Sequence, residues 1–254
     1  MSTLHWPSRL RAAAIHLCGS AIVAALGAAL VFIVWYPPPY ERLAGGLGLF
    51  VLIISVDVVM GPLITLAVFE RTKPSAELKR DLFIVVLLQL AALAYGLHTM
   101  AIARPVVMAL EGNRFRVVSV VDVVESELPQ APTALQSLSW TGPRLLRTAD
   151  VAESDRLDAI QKALNGQDLG TRPSYWRPWD DIARRETKAA ARPMADLFAQ
   201  KPAHRLAIEA IIAKQRQPAD TLGYLPVVSR FAQAVALIDL RSGDVVGYAP
   251  YDAF

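Results

Sequence analysis

Three long apolar stretches in the first 104 residues limit what this chain can fold into. No Asp, Glu, Lys or Arg occurs between Arg11 and Glu41, and the only charged residue inside the two later stretches is Asp57. A helix of 25 residues is about 37 Å long, more than the hydrocarbon core of a bilayer, which is about 30 Å thick. We therefore predict three transmembrane helices, at about residues 12–36, 47–69 and 82–103.

The first stretch has an alternative interpretation, a cleaved signal peptide with Arg9 and Arg11 as its basic region. Signal peptides, however, have apolar cores of only about 7–15 residues, followed by small residues. This stretch is longer and ends at Trp35, Tyr36 and Pro37. We therefore predict an uncleaved membrane anchor.

The charges divide the chain in the same way as its hydropathy. The first 104 residues contain eight Lys and Arg against five Asp and Glu, whereas the remaining residues contain 18 of each sign. Nucleic-acid-binding domains concentrate Lys and Arg on the folded domain, so no nucleic-acid partner is predicted. The single cysteine, Cys18, excludes an intrachain disulfide.

The flanking charges predict an orientation, because Lys and Arg are enriched on the cytoplasmic side of membrane proteins. On one side of the predicted helices, the flanking basic residues are only Arg42, in the first loop, and Arg104, directly after the third helix. The opposite side has six basic residues: Arg9, Arg11, Arg71, Lys73, Lys79 and Arg80. We therefore expect the N-terminus in the cytoplasm and residues 105–254 outside it, in the periplasm of a double-membraned bacterium. Trp35, Tyr36 and Tyr40 are expected to form an aromatic belt at the outer membrane surface.

The remaining residues, 105–254, are predicted to form one α+β domain with a small antiparallel sheet and helices packed on one face. The predicted strands are residues 106–110, 115–121, 144–147, 232–240 and 245–248. The predicted helices are residues 153–164, 181–192 and 203–215. Turns at residues 111–114 and 241–244 join the first two and the last two strands into hairpins.

Asp57 is the first candidate functional residue, since an ionisable group within a membrane span marks a functional site by default. It lies five residues before Pro62, which follows Gly61 and has no amide hydrogen for the carbonyl of Val58, so the helix is expected to kink there. Asp57 is then positioned to contact a partner helix. The alternative is a structural hydrogen bond to one of four residues: His16, Gln89, Tyr95 or His98. One acid on three helices is too little for an ion transporter.

Small residues predict where the helices touch each other. Ser20, Ala24 and Ala28 are four residues apart in the first stretch, and Ala92 and Gly96 are four apart in the third. Such faces let helix backbones approach closely. The alternative is an alanine-rich composition without such a role.

The densest aromatic group of the C-terminal part is the segment from Tyr175 to Trp179, which contains Trp176 and Arg177. Aromatic residues with Arg are typical of binding hot spots, so Tyr175, Trp176 and Trp179 are candidate partner-binding residues. A buried core plug and an anchor on the membrane surface are the alternatives.

No catalytic or metal-binding pattern is present in the sequence. Only His5 and His204 lie outside the apolar stretches, and no Ser lies in a nucleophile elbow. There is no cysteine pair with the spacing of a zinc site. We therefore predict that the chain is not an enzyme and has no cofactor.

Several of these stretches together resemble one family. They are residues 11–17, 32–37, 56–66, 88–96, 103–106 and 113–115. In this series the chain resembles the type IV pilin accessory proteins TfpX and TfpZ, closely over about residues 10–120 and loosely in the closing hairpin. The resemblance implies an inner-membrane protein that assists assembly of a cognate major pilin, with no enzyme activity. Asp57, Gly61 and Pro62 match the family's pattern.

The resemblance also implies what the partner looks like. A pilin waits in the membrane as one apolar helix, with an acid and, after processing, a free amine near its start, and a folded head outside. The expected partners are therefore this pilin and the lipid bilayer.

The alternative function is a membrane-tethered sensor whose outer domain binds a ligand and acts through a partner. A third possibility is a membrane enzyme acting on lipid or glycan. Such enzymes usually have acids or histidines at the outer membrane face, whereas Glu41 is the only acid in the first outer loop.

Overall fold

The structure, a computed structural model, describes residues 6–69, 74–215 and 217–253. Arg71 and Lys73, which enter the predicted orientation, lie outside the described residues. The other basic residues used for that orientation, such as Arg9, Arg42 and Lys79, lie within these ranges.

Among the described residues, three helices are long and apolar enough to cross a membrane, as predicted. The first apolar helix is Trp6–Trp35, the second is Gly46–Val68 and the third is Ser75–Ala103. The third begins seven residues before its predicted start, because the polar residues after Pro74 continue the helix beyond the apolar stretch. Leu, Ile, Val and Phe side chains cover the outside of all three helices, which is the surface that a lipid environment requires.

The second apolar helix packs against both of the others. Gly96 of the third helix lies directly against Ile53 of the second, where a Cβ atom would approach the Ile53 side chain to 2.6 Å. Ala28 of the first helix packs against a buried cluster that includes Phe50, whereas Ala92 is exposed. Of the predicted small-residue faces, the one on the third helix therefore contacts a neighbouring helix at Gly96, and Ala28 lies beside the cluster at the helix ends.

The described part of the C-terminal domain contains a sheet of eight strands, larger than the small sheet predicted. The strands, numbered in chain order, are β1 Pro105–Glu111, β2 Arg114–Ser119, β3 Arg144–Thr148, β4 Trp176–Pro178, β5 Arg192–Pro193, β6 Leu222–Val228, β7 Gln233–Asp239 and β8 Val245–Ala249. Their order is β4-β3-β1-β2-β6-β7-β8, with β5 paired to β6. The predicted hairpins β1–β2 and β7–β8 are confirmed as antiparallel pairs.

The prediction of a purely antiparallel sheet is wrong, because β1–β3 and β2–β6 are parallel pairs. The paired strands are far apart along the chain, so no short sequence pattern predicts that they pair. Strand β6 was missed altogether, since Gly223 and Pro226 are usual strand breakers. Pro226 lies between the part of β6 that pairs with β5, at Gly223 and Tyr224, and the part that pairs with β2, from Val227 onward.

Both faces of the sheet are covered, so the prediction of helices on one face is also wrong. The helices of the domain are Arg156–Leu164, Asp181–Ala190, Met194–Gln200 and Arg205–Lys214. Leu197 and Ile208 pack on one face, against Tyr224 and Leu237. On the opposite face, Ala190 of the helix Asp181–Ala190 packs against the cluster of strand residues that contains Phe115.

Part of that opposite face is covered by the loop between the first two apolar helices. Leu43 is buried in the same cluster as Phe115, and its carbonyl accepts a hydrogen bond from the Ser229 hydroxyl. The Tyr40 hydroxyl lies 3.3 Å from the sulfur of Met108 in β1. The membrane part and the C-terminal domain thus share one hydrophobic core.

The same contacts correct the predicted aromatic belt. Trp35 and Tyr36 are buried among the ends of the helices, and Tyr36 donates a hydrogen bond to the carbonyl of Met100 at 2.9 Å. Tyr40 packs against the sheet. These aromatic side chains join the helices to the domain rather than facing the membrane surface.

Candidate partner-binding site

The second apolar helix changes its hydrogen-bonding pattern at Asp57. Residues Val56–Met60 form a π-type turn directly before Gly61 and Pro62. In a π-type turn the carbonyl of Asp57 would accept from the residue five positions later, and that residue is Pro62, which has no amide hydrogen. The side-chain amide of Gln89 on the third helix donates to this carbonyl at 3.2 Å. The irregular turn is therefore stabilised from the neighbouring helix.

The side chain of Asp57 is only 8% exposed, although it lies within an apolar helix. Its Oδ1 atom is buried and has no hydrogen-bond partner among the described residues. An isolated carboxylate in apolar surroundings is costly until a donor or a cation reaches it. Asp57 is thus a buried acceptor with capacity for a partner.

The four structural partners considered for Asp57 do not hold its carboxylate. His16 shares a hydrogen bond with the Thr65 hydroxyl at 2.5 Å, and Gln89 contacts the Asp57 backbone. Tyr95 and His98 are on the outer surface of the third helix. None of the hydrogen bonds among the described residues therefore runs from one of these four residues to the Asp57 carboxylate.

Gly61 allows the polar groups of the three helices to meet. A Cβ atom at this position would collide with the side-chain amide of Gln89 and would lie 3.1 Å from Nε2 of His16. The residue is buried, as is Thr65 one turn later. Gly61 and Pro62 thus have separate roles, the first in close helix approach and the second in the irregular turn.

A groove of about 320 Å³ lies between the three helices at Asp57. It is lined by His16, Gly19, Ser20, Val23, Ala24, Ile54, Asp57, Val86, Gln89, Leu90 and Leu93. Val23 and Leu90 are also exposed on the outside of the bundle, so the groove is open at its side. Its volume equals that of about ten water molecules, enough for a few side chains from one face of a passing helix.

Comparison with known proteins finds similarity both around the first apolar helix and along most of the chain. A family model described as fimbrial assembly protein FimB matches residues 4–45. A fimbrial assembly protein of serogroup I from Dichelobacter nodosus is 32% identical over 242 residues, which cover 94% of each chain. The chain belongs to the fimbrial assembly protein FimB family.

Two further relatives of this FimB-family protein are also proteins of Dichelobacter nodosus. The fimbrial assembly protein of serogroup E1 is 31% identical over 242 residues, again 94% of each chain. The one of serogroups C1 and C2 is 41% identical over 117 residues, 46% of this chain and 89% of the relative. No solved structure matches the chain.

The FimB family model covers only part of the site. Residues 4–45 include the wall of the groove on the first helix and the loop that packs on the sheet, but they end before Asp57.

Among residues 6–69, 74–215 and 217–253, no group of three or more His, Cys, Asp or Glu side chains is arranged to hold a metal ion.

The aromatic segment predicted as a partner-binding loop is mostly part of the domain's interior. Trp176 is fully buried and its indole nitrogen donates to the carbonyl of Gly170 at 2.8 Å. Trp179 packs beside Phe115 with ring centroids 6.1 Å apart. Tyr175 is half-buried under the guanidinium of Arg172. The burial of Trp176 fits the alternative of a core plug, while Tyr175 and Trp179 keep some exposed surface.

A second surface of this FimB-family protein was missed by sequence reasoning. The helix Arg156–Leu164 was expected to bury an apolar face, yet Leu157 is 82% and Leu164 83% exposed. Beside it lies a cleft of about 770 Å³ that includes Arg114 and Asp168. The amphipathic pattern was visible in the sequence, but it indicated a buried face. Only the tertiary structure shows that this face has no covering element among the described residues.

Proposed function

We propose that this protein holds the apolar helix of a cognate type IV pilin in the inner membrane and so assists its assembly. Membership of the FimB family, whose relatives are named fimbrial assembly proteins, supports a role in fimbrial biogenesis. The resemblance to TfpX and TfpZ supports the narrower role of an accessory, chaperone-like protein without enzyme activity.

The observation that carries the proposal is the carboxylate of Asp57 in the wall of the groove, whose Oδ1 atom has no partner within the described ranges. A pilin helix presents an amine near its start, and an amine and a carboxylate satisfy each other in lipid far better than either does alone. One wall of the groove is formed by residues with small side chains, Gly19, Ser20 and Ala24. Small side chains let a helix backbone approach closely.

The proposed orientation places the N-terminus in the cytoplasm and the C-terminal domain in the periplasm. The excess of Lys and Arg before the first helix and between the second and third helices supports it. In this orientation the domain lies on the same side as the head of a pilin. The exposed face of Leu157, Ile160 and Leu164 is then available to contact that head.

Site-specific crosslinking in cells that express the pilin tests the groove. A photoreactive residue replaces Val23, which lines the groove, or Leu26, which is exposed on the same helix outside it. We expect pilin adducts from position 23 and few from position 26, and a severalfold loss of the position-23 adduct in Asp57→Asn. Equal adducts at both positions, or no response to Asp57→Asn at a normal protein level, would show the groove proposal to be wrong.

The cleft beside Arg114 and Asp168 favours one second candidate, a membrane-tethered ligand-binding protein. Arg114 and Arg116 both pair with Asp168 and with the buried Glu111, so the cleft has fixed charges at one end. Thermal stabilisation of the full chain by small anions or peptides would support this candidate. The full chain is required, because Leu43 belongs to the core of the domain.

A further inference from the structure

We propose that the C-terminal domain rests on the bilayer surface through three exposed apolar side chains, Val121, Trp140 and Phe231. The proposal requires that the three apolar helices cross the membrane, but it does not require a pilin. It concerns a protein–lipid contact formed by loops that lie far apart in the sequence.

The strand directions define an edge of the sheet that is nearest the apolar helices. Strand β1 begins at Pro105, two residues after the end of the third helix, and Ser119 at the end of β2 pairs with Pro105. Strand β3 runs parallel to β1, starting at Arg144. Strand β6 runs parallel to β2 and ends at Val228. The loops after β2, before β3 and after β6 therefore all lie at this edge, which we call the proximal edge.

Contacts with the helix ends place two of these loops at the level of the membrane boundary. The guanidinium of Arg104, the residue after the third helix, lies 4.1 Å from the ring centre of Trp140. The ring of Phe231 lies on Gly45, the residue before the second helix, where a Cβ atom would come within 2.7 Å of it. The loops are thus packed on the ends of two apolar helices.

Two further contacts involve the end of the first helix and the loop after β2. A Cβ atom on Gly142 would lie 2.7 Å from Pro37, two residues after the end of the first helix. Arg230 pairs with Asp122 at 3.6 Å, which ties the loop after β6 to the loop after β2. All three loops therefore lie at the boundary where the helices end.

Each of these loops exposes one large apolar side chain there. Val121 is 58% exposed, Trp140 63% and Phe231 64%. Aromatic side chains at this depth are typical of the interface between lipid headgroups and hydrocarbon. The cationic side chains of Arg42 and Arg230 are also largely exposed at this edge, which suits a headgroup layer that contains phosphate. The occupant of the surface is therefore the lipid bilayer.

Packing of the domain also explains why Trp35, Tyr36 and Tyr40 do not face the membrane surface. These residues have the composition of an aromatic belt, yet the domain packs over them. Loops of the domain that lie about 100 and 190 residues further along the chain supply exposed aromatic rings instead. The belt is thus formed by the tertiary structure.

Depth-dependent quenching in proteoliposomes without pilin tests the proposal. In a Cys18→Ser background, Trp140→Cys and Phe231→Cys are each labelled with a nitrobenzoxadiazole fluorophore and reconstituted in phosphatidylcholine with phosphatidylglycerol. Leu26→Cys, on the outer surface of the first helix, is the positive control. Asn113→Cys, at the opposite end of β1 and exposed, is the negative control.

We expect lipids with a nitroxide near the headgroup to reduce emission at positions 140 and 231, and to leave position 113 unchanged. If the nitroxide lipids reduced emission at positions 140 and 231 no more than at position 113, the proposal would be overturned. Unlabelled protein provides a second measurement, since brominated lipids should quench less in Trp140→Phe than in Trp179→Phe. Because pilin is absent, this result is independent of the outcome of pilin crosslinking.

Discussion

The hydroxyl groups of Tyr40 and Tyr248 lie 3.0 Å apart, although 208 positions separate them in the sequence. Both hydroxyls also approach the sulfur of Met108. Burial is the main cause that raises the pKa of both tyrosines, so both stay neutral and serve as hydrogen-bonding groups. The pair links the loop between the first two helices to the last strand.

Removing either hydroxyl should destabilise the protein. Tyr40→Phe and Tyr248→Phe are each expected to cost about 1 kcal/mol, because each removes the hydrogen bond between the two buried hydroxyls. The double variant should cost less than the sum of the two, since the shared bond is lost only once. Thermal unfolding in detergent measures this, with Tyr95→Phe on the outer helix surface as control. Additive losses would show that the two hydroxyls do not interact.

Close packing between the second and third helices should depend on Gly96. Gly96→Ala places a Cβ atom against the side chain of Ile53 and should cost about 1–3 kcal/mol, as overpacking usually does. Gly48→Ala is the matched control, because no described atom lies within 4 Å of the position that its methyl group would take. Its stability should be unchanged or slightly raised, since Ala favours helix. Equal melting temperatures of the two variants would contradict this account.

The ion pair between Glu127 and Arg172 should make stability depend on pH. Burial acts to raise the pKa of Glu127, but hydrogen bonds from Ser174 and Arg172 and the charge of Arg172 outweigh it, so the pKa lies below its usual value. A lowered pKa in the folded state contributes stability above the unfolded pKa of about 4.3, and that contribution is lost as pH falls through the folded value.

Glu127→Gln should therefore lower the melting temperature at pH 7 and reduce its fall between neutral pH and about pH 3. The expected loss at pH 7 is about 2 kcal/mol, the usual range for hydrogen bonds to charged groups. Glu153→Gln, which alters an exposed pair with Arg156, should leave the profile unchanged. Parallel profiles for Glu127→Gln and the parent protein would count against the ion pair as a cause.

Trp176 should act on stability rather than directly on a partner. Trp176→Phe removes the hydrogen bond to Gly170 from a fully buried site and should cost about 2 kcal/mol. The same change at Trp140, which is exposed, should leave the free energy of unfolding within about 0.5 kcal/mol of the parent. Pilin crosslinking per molecule of folded protein should be equal in Trp176→Phe and the parent, and a selective loss would instead support a binding role.

The three apolar helices were predictable because transfer from water to lipid depends on each side chain and its neighbours in sequence. Asp57, Gly61 and Pro62 were recognisable for the same reason, as a charge, a small residue and a missing amide hydrogen in an apolar stretch. The groove itself was not, since it requires His16, Asp57 and Gln89 from three helices to meet at one depth.

The C-terminal domain shows the opposite balance. Local turn residues sufficed to predict the hairpin at residues 111–114, where β1 and β2 form an antiparallel pair. They could not predict strand β6, which contains Gly223 and Pro226 and is stabilised by β5, β2 and β7. Its stability comes from neighbours that are distant in the sequence.

The sequence by itself determined that this chain has three apolar helices, a charge-balanced domain after them, and one acid in an apolar stretch. Each of these features follows from the solvent preference of residues close together along the chain. Only the tertiary structure decided that Trp35 and Tyr36 are buried while Trp140 and Phe231 are exposed beside the helix ends. Burial is a property of contacts between distant segments, and those contacts are specified by packing of the whole fold rather than by local hydropathy.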